Sequence, residues 1–278
     1  MTAMIWALSI SAGLGLLLAA VMWKTSLRRA FEARRAEAMT VPLGGERILG
    51  EADIAHLPPP VRRYIALTGS VGRPVVTEIM MHFDAVMYEA PGAPGMTGPI
   101  RQYERFDTPE RLFLMTTRMK GLPVAVLHDF DRDRATMRVR LAGLVNVVDT
   151  DGADLTRTET VTILNDLCFF APSRLVDPRL SWREIDDRRA RVRFALGGNT
   201  VSAELIFNAA GELVDFMSED RGRLEKDGTL RPLRWSTPLG TYREFDGWRL
   251  ASEGDAIWHL EDGPFTYGHL RLTQYDAR

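Results

Sequence analysis

Apolar and polar residues alternate with a period of two over most of this chain. That period predicts strands, because successive strand side chains point to opposite faces. Arg134–Leu141 shows it cleanly, with Ala135, Met137, Val139 and Leu141 on one side and Arg134, Thr136, Arg138 and Arg140 on the other. Thr77–Met87, Arg101–Phe106, Arg111–Met119, Val124–Phe130 and Leu144–Val148 complete a first block of strands. Arg191–Leu196, Val201–Phe207, Leu213–Ser218, Arg234–Phe245, Trp248–Trp258 and Phe265–Tyr275 form a second. Pro-, Gly- and Asp-containing turns separate the runs, with hairpin-type links at Gly197-Gly198-Asn199 and Ala210-Gly211.

Helical spacing takes over between and before these blocks. Glu51–Thr68 carries Ile54, Leu57, Val61, Tyr64, Ile65 and Leu67 on a stripe interrupted by Pro58-Pro59-Pro60. The expected form is a short helix, a break, and a second helix with proline in its first turn, where the missing N–H costs nothing. Between the strand blocks, Thr156 and Glu159 read as a capping box opening a helix to Ala171, with Val161, Leu164, Leu167 and Cys168 on its apolar face. Strands in blocks with segregated helices indicate an α+β fold built on a large curved antiparallel sheet.

A different pattern opens the chain. Ala3–Trp23 holds 21 residues without a charge, enough helix to cross roughly 30 Å of hydrocarbon. No Lys or Arg precedes it and it exceeds a signal-peptide core, so it is read as a retained transmembrane anchor over residues 1–23. Lys24, Arg28, Arg29, Arg34 and Arg35 follow within a dozen residues, so the rest of the chain is expected on the cytoplasmic side of the inner membrane, with the periplasmic side as the alternative. Residues 24–44 are then a basic juxtamembrane helix and a Pro/Gly hinge, and 45–278 a single β-rich domain.

Composition narrows the function classes. A net charge of −2 over 278 residues gives no basic excess for a nucleic-acid partner. The one cysteine, Cys168, excludes an intramolecular disulfide and falls on an apolar helix face. No Walker loop, nucleophile elbow or dinucleotide fingerprint occurs, so no catalytic residue and no cofactor is assigned. His82 and Asp84 share a strand face without a third ligand and read as its polar side. His128 with Asp129, Asp131 and Asp133 reads as a solvated strand end, and Asp149–Asp154 as a turn entering the helix; neither is read as a metal site.

The strand Arg111–Met119 is apolar on both faces and so needs a cover on each. Met81, Phe83, Phe113, Met115 and Met119, with Leu164 and Phe169 of the central helix, are the candidate lining of an apolar site, since methionine suits loosely specified pockets. The helix is expected to cross the concave side of the sheet with Leu164 facing Phe113.

The run Leu57-Pro58-Pro59-Pro60-Val61-Arg62-Arg63-Tyr64, ending in Thr68-Gly69, resembles the opening of a bacterial membrane-anchored family of unassigned function. The likeness continues through Leu141-Ala142-Gly143-Leu144, Ala171-Pro172-Ser173, Trp182, Val201–Phe207 with Gly211, Asp220-Arg221, Trp235, Tyr242, Trp258 and Tyr267, over about residues 45–275. It supplies no catalytic residues. The element order also resembles the lipoprotein-carrier half-barrel, a sheet curled around a helix with an apolar hollow. The expected function is a membrane-tethered module binding an apolar or lipid-like ligand. An enzyme using Asp and His groups on the concave face, and a scaffold presenting a β-surface to an inner-membrane protein, are the alternatives.

Overall fold

A computed structural model describes residues 26–278, in which the alternating runs assemble into one antiparallel sheet of 14 strands. The apolar run Ala3–Trp23 lies outside the described residues, and among those described no helix is long and apolar enough to cross a membrane. The first block is a meander of β1 (Glu78–Met87), β2 (Met96–Arg105), β3 (Glu110–Met119), β4 (Leu122–Asp131), β5 (Arg134–Leu141) and β6 (Val145–Asp151). The second holds β7 (Leu180–Asp186), β8 (Arg189–Leu196), β9 (Asn199–Phe207) and β10 (Leu213–Ser218). After a separate ribbon of β11 (Gly222–Leu224) and β12 (Leu230–Pro232) come β13 (Trp235–Ser236), β14 (Leu239–Phe245), β15 (Trp248–Leu260) and β16 (Gly263–Ala277).

Spatial order is β6-β5-β4-β3-β2-β1-β16-β15-β13-β10-β9-β8-β7, with β14 also on β15. The last strand therefore joins the two blocks, pairing Ile79 with Ala277 and Met87 with Gly268. The sheet is strongly curved. The β8–β9 turn of one half approaches the β4–β5 turn of the other so closely that a Cβ on Gly197 would sit 2.7 Å from Asp133 Cβ.

The sheet departs from expectation at one unread strand and two redrawn ones. β7 went unread because, on the sheet edge, it buries only Leu180 and half-buries Trp182 among charged neighbours. Arg234–Phe245 is two strands, β13 and β14, both on β15, with the break at Thr237-Pro238, where Pro238 cannot donate. β2 starts at Met96, through Gly98 and Pro99. Gly98 passes so near β3 that a Cβ there would lie 2.1 Å from Thr116 O, so the glycine permits close strand approach rather than breaking the strand.

Helix α1 (Leu27–Ala38) lies flat on the outer face of the first block. Its buried Leu27, Phe31 and Ala38 pack with Tyr103, Leu112, Leu114 and Leu127. That is one of the two covers β3 needs: Leu112 and Leu114 point out beneath α1, while Arg111, Phe113 and Met115 point in. The segment after α1 is fastened by Arg105, whose side chain is 1% exposed. Its guanidinium donates to the carbonyls of Ala38, Val41 and Pro42 at 2.7–2.8 Å and pairs with Asp107.

α2 (Glu51–Ile54) and α3 (Pro59–Leu67) flank the proline run as expected, with Pro59 and Pro60 in the first turn of α3. Val61, Tyr64 and Ile65 are fully buried, and the Tyr64 hydroxyl donates to Cys168 O at 3.0 Å. The bond satisfies an orphan carbonyl at the end of the central helix. The proline motif is thus a clamp on that helix.

The central helix α4 runs from Ala153 to Phe170 across the concave side, touching β5, β6, β9, β10 and β15. The capping box does not form. The helix is capped at Gly152 and starts at Ala153, so Thr156 sits inside it and donates to Gly152 O at 2.8 Å while accepting from Ala135 N. Glu159 is freed for another role. Fifteen of the eighteen residues are buried, so neither face of α4 meets bulk water.

Candidate functional site

Between α4 and the inner face of β1–β6 and β13–β16 the fold leaves a hollow of about 580 Å³. Its apolar wall comes from alternate residues of adjacent strands: Phe83 and Met87 on β1, Phe113, Met115, Thr117 and Met119 on β3, Val124, Val126 and His128 on β4, Met137 and Val139 on β5. β15 and β16 add Ala256, Trp258, Phe265, Tyr267, Leu270 and Leu272. This is the second cover of β3.

Of the seven expected lining residues, Phe83, Phe113, Met115, Met119 and Phe169 are on this wall. Met81 and Leu164 are fully buried in the core and absent from it. α4 explains Leu164. Its apolar stripe of Val161, Leu164, Leu167 and Cys168 is buried in the core. Its other face, Leu155, Thr158, Glu159, Thr162, Asn165, Asp166 and Phe169, lines the hollow. Burial pushes the Cys168 thiol well up, consistent with an inert core residue.

That second face carries a buried polar network. Arg111 reaches in from β3, with Nε 2.7 Å from Asp166 and 3.4 Å from Glu104, and Nη1 3.2 Å from Glu159. Gln102 donates to Glu104 at 2.5 Å and to Asp166 at 2.9 Å. On the other side of Glu159, His128 Nδ1 lies 3.2 Å from its Oε1. Arg221 stacks over Trp235 and Trp258, 4.3 and 5.2 Å from their centroids, and donates to Tyr267 and Thr162.

The carboxyls divide. Burial and the neighbouring Asp166 raise Glu104 well above the usual carboxylate range. Burial pushes Glu159 up as well, but His128, Arg111 and Arg221 outweigh it and hold Glu159 at about 2. Two guanidiniums, Arg111 and Arg221, therefore face three buried carboxyl groups, with Glu159 held ionised and Glu104 pushed toward its neutral form. The network is close to self-compensated. Arg111 keeps its charge despite burial because three carboxyl groups surround it.

His128 corrects the sequence reading: it is half-buried, edge-on to Phe113 at 5.6 Å, and faces the hollow rather than a solvated strand end. Its neighbour Asp129 points outward to Arg34 at 3.3 Å. Asp84 pairs with Arg271 at 2.5 Å, and among the described residues no three metal-ligating side chains converge. Ser236 Oγ lies 2.8 Å from His259 Nε2, but among the described residues no carboxylate orients that ring.

Sequence reasoning missed Gln102, Arg111, Glu159, Asp166 and Arg221. Two signals bore on them: Arg221, Trp235, Trp258 and Tyr267, quoted above as carrying the family resemblance, meet on one wall of the hollow. Glu159 and Asp166 also sit seven apart on a helix face lined otherwise by Thr158, Thr162 and Asn165.

The chain belongs to a family of unknown function, DUF6544, whose model matches residues 47–270. No curated protein matches it. Among solved structures it is similar to a LolA superfamily protein from Nitrosomonas europaea, at 9% identity and a TM-score of 0.42, over 84% of this chain and 94% of that one. It is also similar to a DUF1329 family protein from Desulfovibrio piger, at 12% identity and a TM-score of 0.42, over 83% of this chain and 94% of that one.

Proposed function

We propose that this member of the DUF6544 family is a membrane-tethered binding module that holds an amphipathic, lipid-like ligand in the hollow beneath α4. The observation that carries the reading is the hollow itself: about 580 Å³ of mostly apolar lining inside an otherwise packed domain. Protein interiors fill such space, because every unfilled wall forfeits dispersion contacts. The volume falls within the roughly 300–1,000 Å³ of small-molecule sites. An apolar portion fits among Met115, Met119, Val126 and Met137, and a polar end against Thr162, Asn165 and the Arg221 stack. Because the buried charges compensate one another, the favoured head is uncharged and hydrogen-bonding. The tether is residues 3–23, with the domain on the cytoplasmic side.

Trp235 and Trp258 offer a direct probe, since both line the hollow. A brominated monoacylglycerol added to the detergent-solubilised protein should quench them saturably. Trp235→Phe with Trp258→Phe should remove that component, and Val126→Phe, which fills the hollow, should weaken it. Quenching that is unsaturable and indifferent to Val126→Phe would end the reading.

One observation favours a second reading: Glu104 and Asp166 are adjacent buried carboxyl groups bridged by Gln102, burial and Asp166 raise Glu104 well above the usual range, and Asp166 lines the hollow. A neutral carboxyl next to a carboxylate is an acid–base pair. In that case Asp166→Asn would leave ligand occupancy intact and stop its conversion. In a pure carrier the bound ligand is the same compound before and after incubation.

A further inference from the structure

Of the seven large apolar side chains exposed among the described residues, four gather at one end of the sheet, Val147 with the three that follow, while Met39, Leu43 and Ile48 lie in the segment before β1. Leu122, the first residue of β4, is 49% exposed, and Leu144 in the β5–β6 connection and Val145, the first residue of β6, are 52% and 59% exposed. In an antiparallel meander the β3–β4 and β5–β6 turns lie at the same end, where Val124 pairs with Leu141 and Leu141 with Val145. The hollow reaches this end too, since Met119, Val124 and the exposed Val147 line it.

The described chain begins at this end. Ser26, Leu27 and Arg28 border a groove with Thr97, Thr116 and Pro123, and Arg28 donates to Thr116 Oγ1 at 3.3 Å. Only Lys24 and Thr25 separate Ser26 from Trp23, the end of the uncharged run. Three residue steps span at most about 10 Å. With that run in a bilayer, this end of the sheet cannot stand away from the surface. Charge agrees with the geometry: Arg28, Arg118 and Lys120 are exposed here, and residues 96–99, 117–125 and 139–147 contain no Asp or Glu, with Glu89 in the β1–β2 turn as the one exposed acid of the neighbouring turn.

We infer that the end of the sheet formed by the β3–β4 and β5–β6 turns seats on an anionic bilayer surface, with Leu122, Leu144 and Val145 in the headgroup region and the hollow opening toward it. Apolar turns ringed by Lys and Arg bind such surfaces by burial plus attraction to anionic lipid. The tether makes the contact intramolecular, so a weak seat suffices. α1, laid along the outer face, fixes the tilt. The ligand of the proposed binding site then passes between bilayer and hollow without crossing water. That consequence rests on the binding reading, whereas the seating rests on the proposed tether alone.

Full-length protein in vesicles of phosphatidylglycerol and phosphatidylcholine tests it. Cys168 is fully buried, so a single new cysteine takes the label. An environment-sensitive fluorophore on Leu122→Cys or Leu144→Cys should show blue-shifted emission that brominated lipid quenches. The same label on Ala209→Cys, exposed in the β9–β10 turn, should report water. Replacing the phosphatidylglycerol with phosphatidylcholine should reduce the shift. Labels at 122 and 144 as hydrated as that at 209 would overturn the inference. So would a blue shift that brominated lipid leaves untouched and that grows with protein-to-lipid ratio, because a second copy would then cover the patch. Mass spectrometry of lipid bound to the same samples separates the readings. A seated but empty protein contradicts the binding reading alone, and a loaded protein with hydrated labels contradicts the seating alone.

Discussion

Glu159 shows how one residue can mislead a sequence reading and then anchor a site. Three residues after a threonine and ahead of an apolar run, it has the look of a cap, and only the earlier start of α4 turns it inward. There it is the common partner of Arg111 and His128, and Arg221 approaches to 4.0 Å. Removing one partner from a buried ionic cluster typically costs about 3–5 kcal/mol, so Glu159→Gln should destabilise the protein on that order in denaturant titrations. The pH dependence has a definite sign. Glu159 sits at about 2 when folded, below the ordinary value near 4.3, so its contribution is present above about pH 4 and is lost as pH falls toward 2. The variant's stability should therefore fall less steeply than the parent's over that window. Equal slopes would mean that Glu159 is not held ionised by these cations. Phe83, Phe113, Met115, Met119 and Phe169 could be placed beforehand because bulky apolar residues on a doubly covered strand have few alternatives. Arg111 could not, since a strand-end arginine is ordinarily solvated.

At the scale of elements, the period of two located most strands. It failed where a strand is short, polar and on the edge, as in β7, or where close backbone approach puts glycine inside a strand, as at Gly98. α4 defeated the amphipathic rule because the face that ordinarily meets water meets the hollow instead. The expected contact between Leu164 and Phe113 changes accordingly. Leu164 lies in the core and Phe113 on the cavity wall, so Leu164→Ala should cost about 2–5 kcal/mol, Phe113→Ala less, and the double variant close to their sum. Strong non-additivity in denaturant titrations would put the two side chains in contact and the helix face in error. α1 supplies a second check. As a free stalk it would contribute nothing to the domain's stability. Docked with Phe31 at 0% exposure, it should make Phe31→Ala cost about 3–5 kcal/mol, and a near-neutral result would detach the helix from the sheet.

At the scale of the molecule, the sheet, its central helix and its outer helix make one arrangement: a curved wall stiffened outside by α1 and held open inside by α4. The two-block strand order was legible in the sequence, but not the pairing of β1 with β16 that joins the blocks, since long-range register leaves no local trace. The hollow was legible only as a strand needing two covers; its polar wall was not. Occupancy is the central claim, and extraction followed by mass spectrometry of the gently solubilised, full-length protein measures it most directly. A defined amphipathic species should co-purify near one per protein and be depleted several-fold in Val126→Phe, which fills the hollow while leaving the membrane surface unchanged. Recovery of only bulk lipid in bilayer proportions, equal in the parent protein and Val126→Phe, would contradict it.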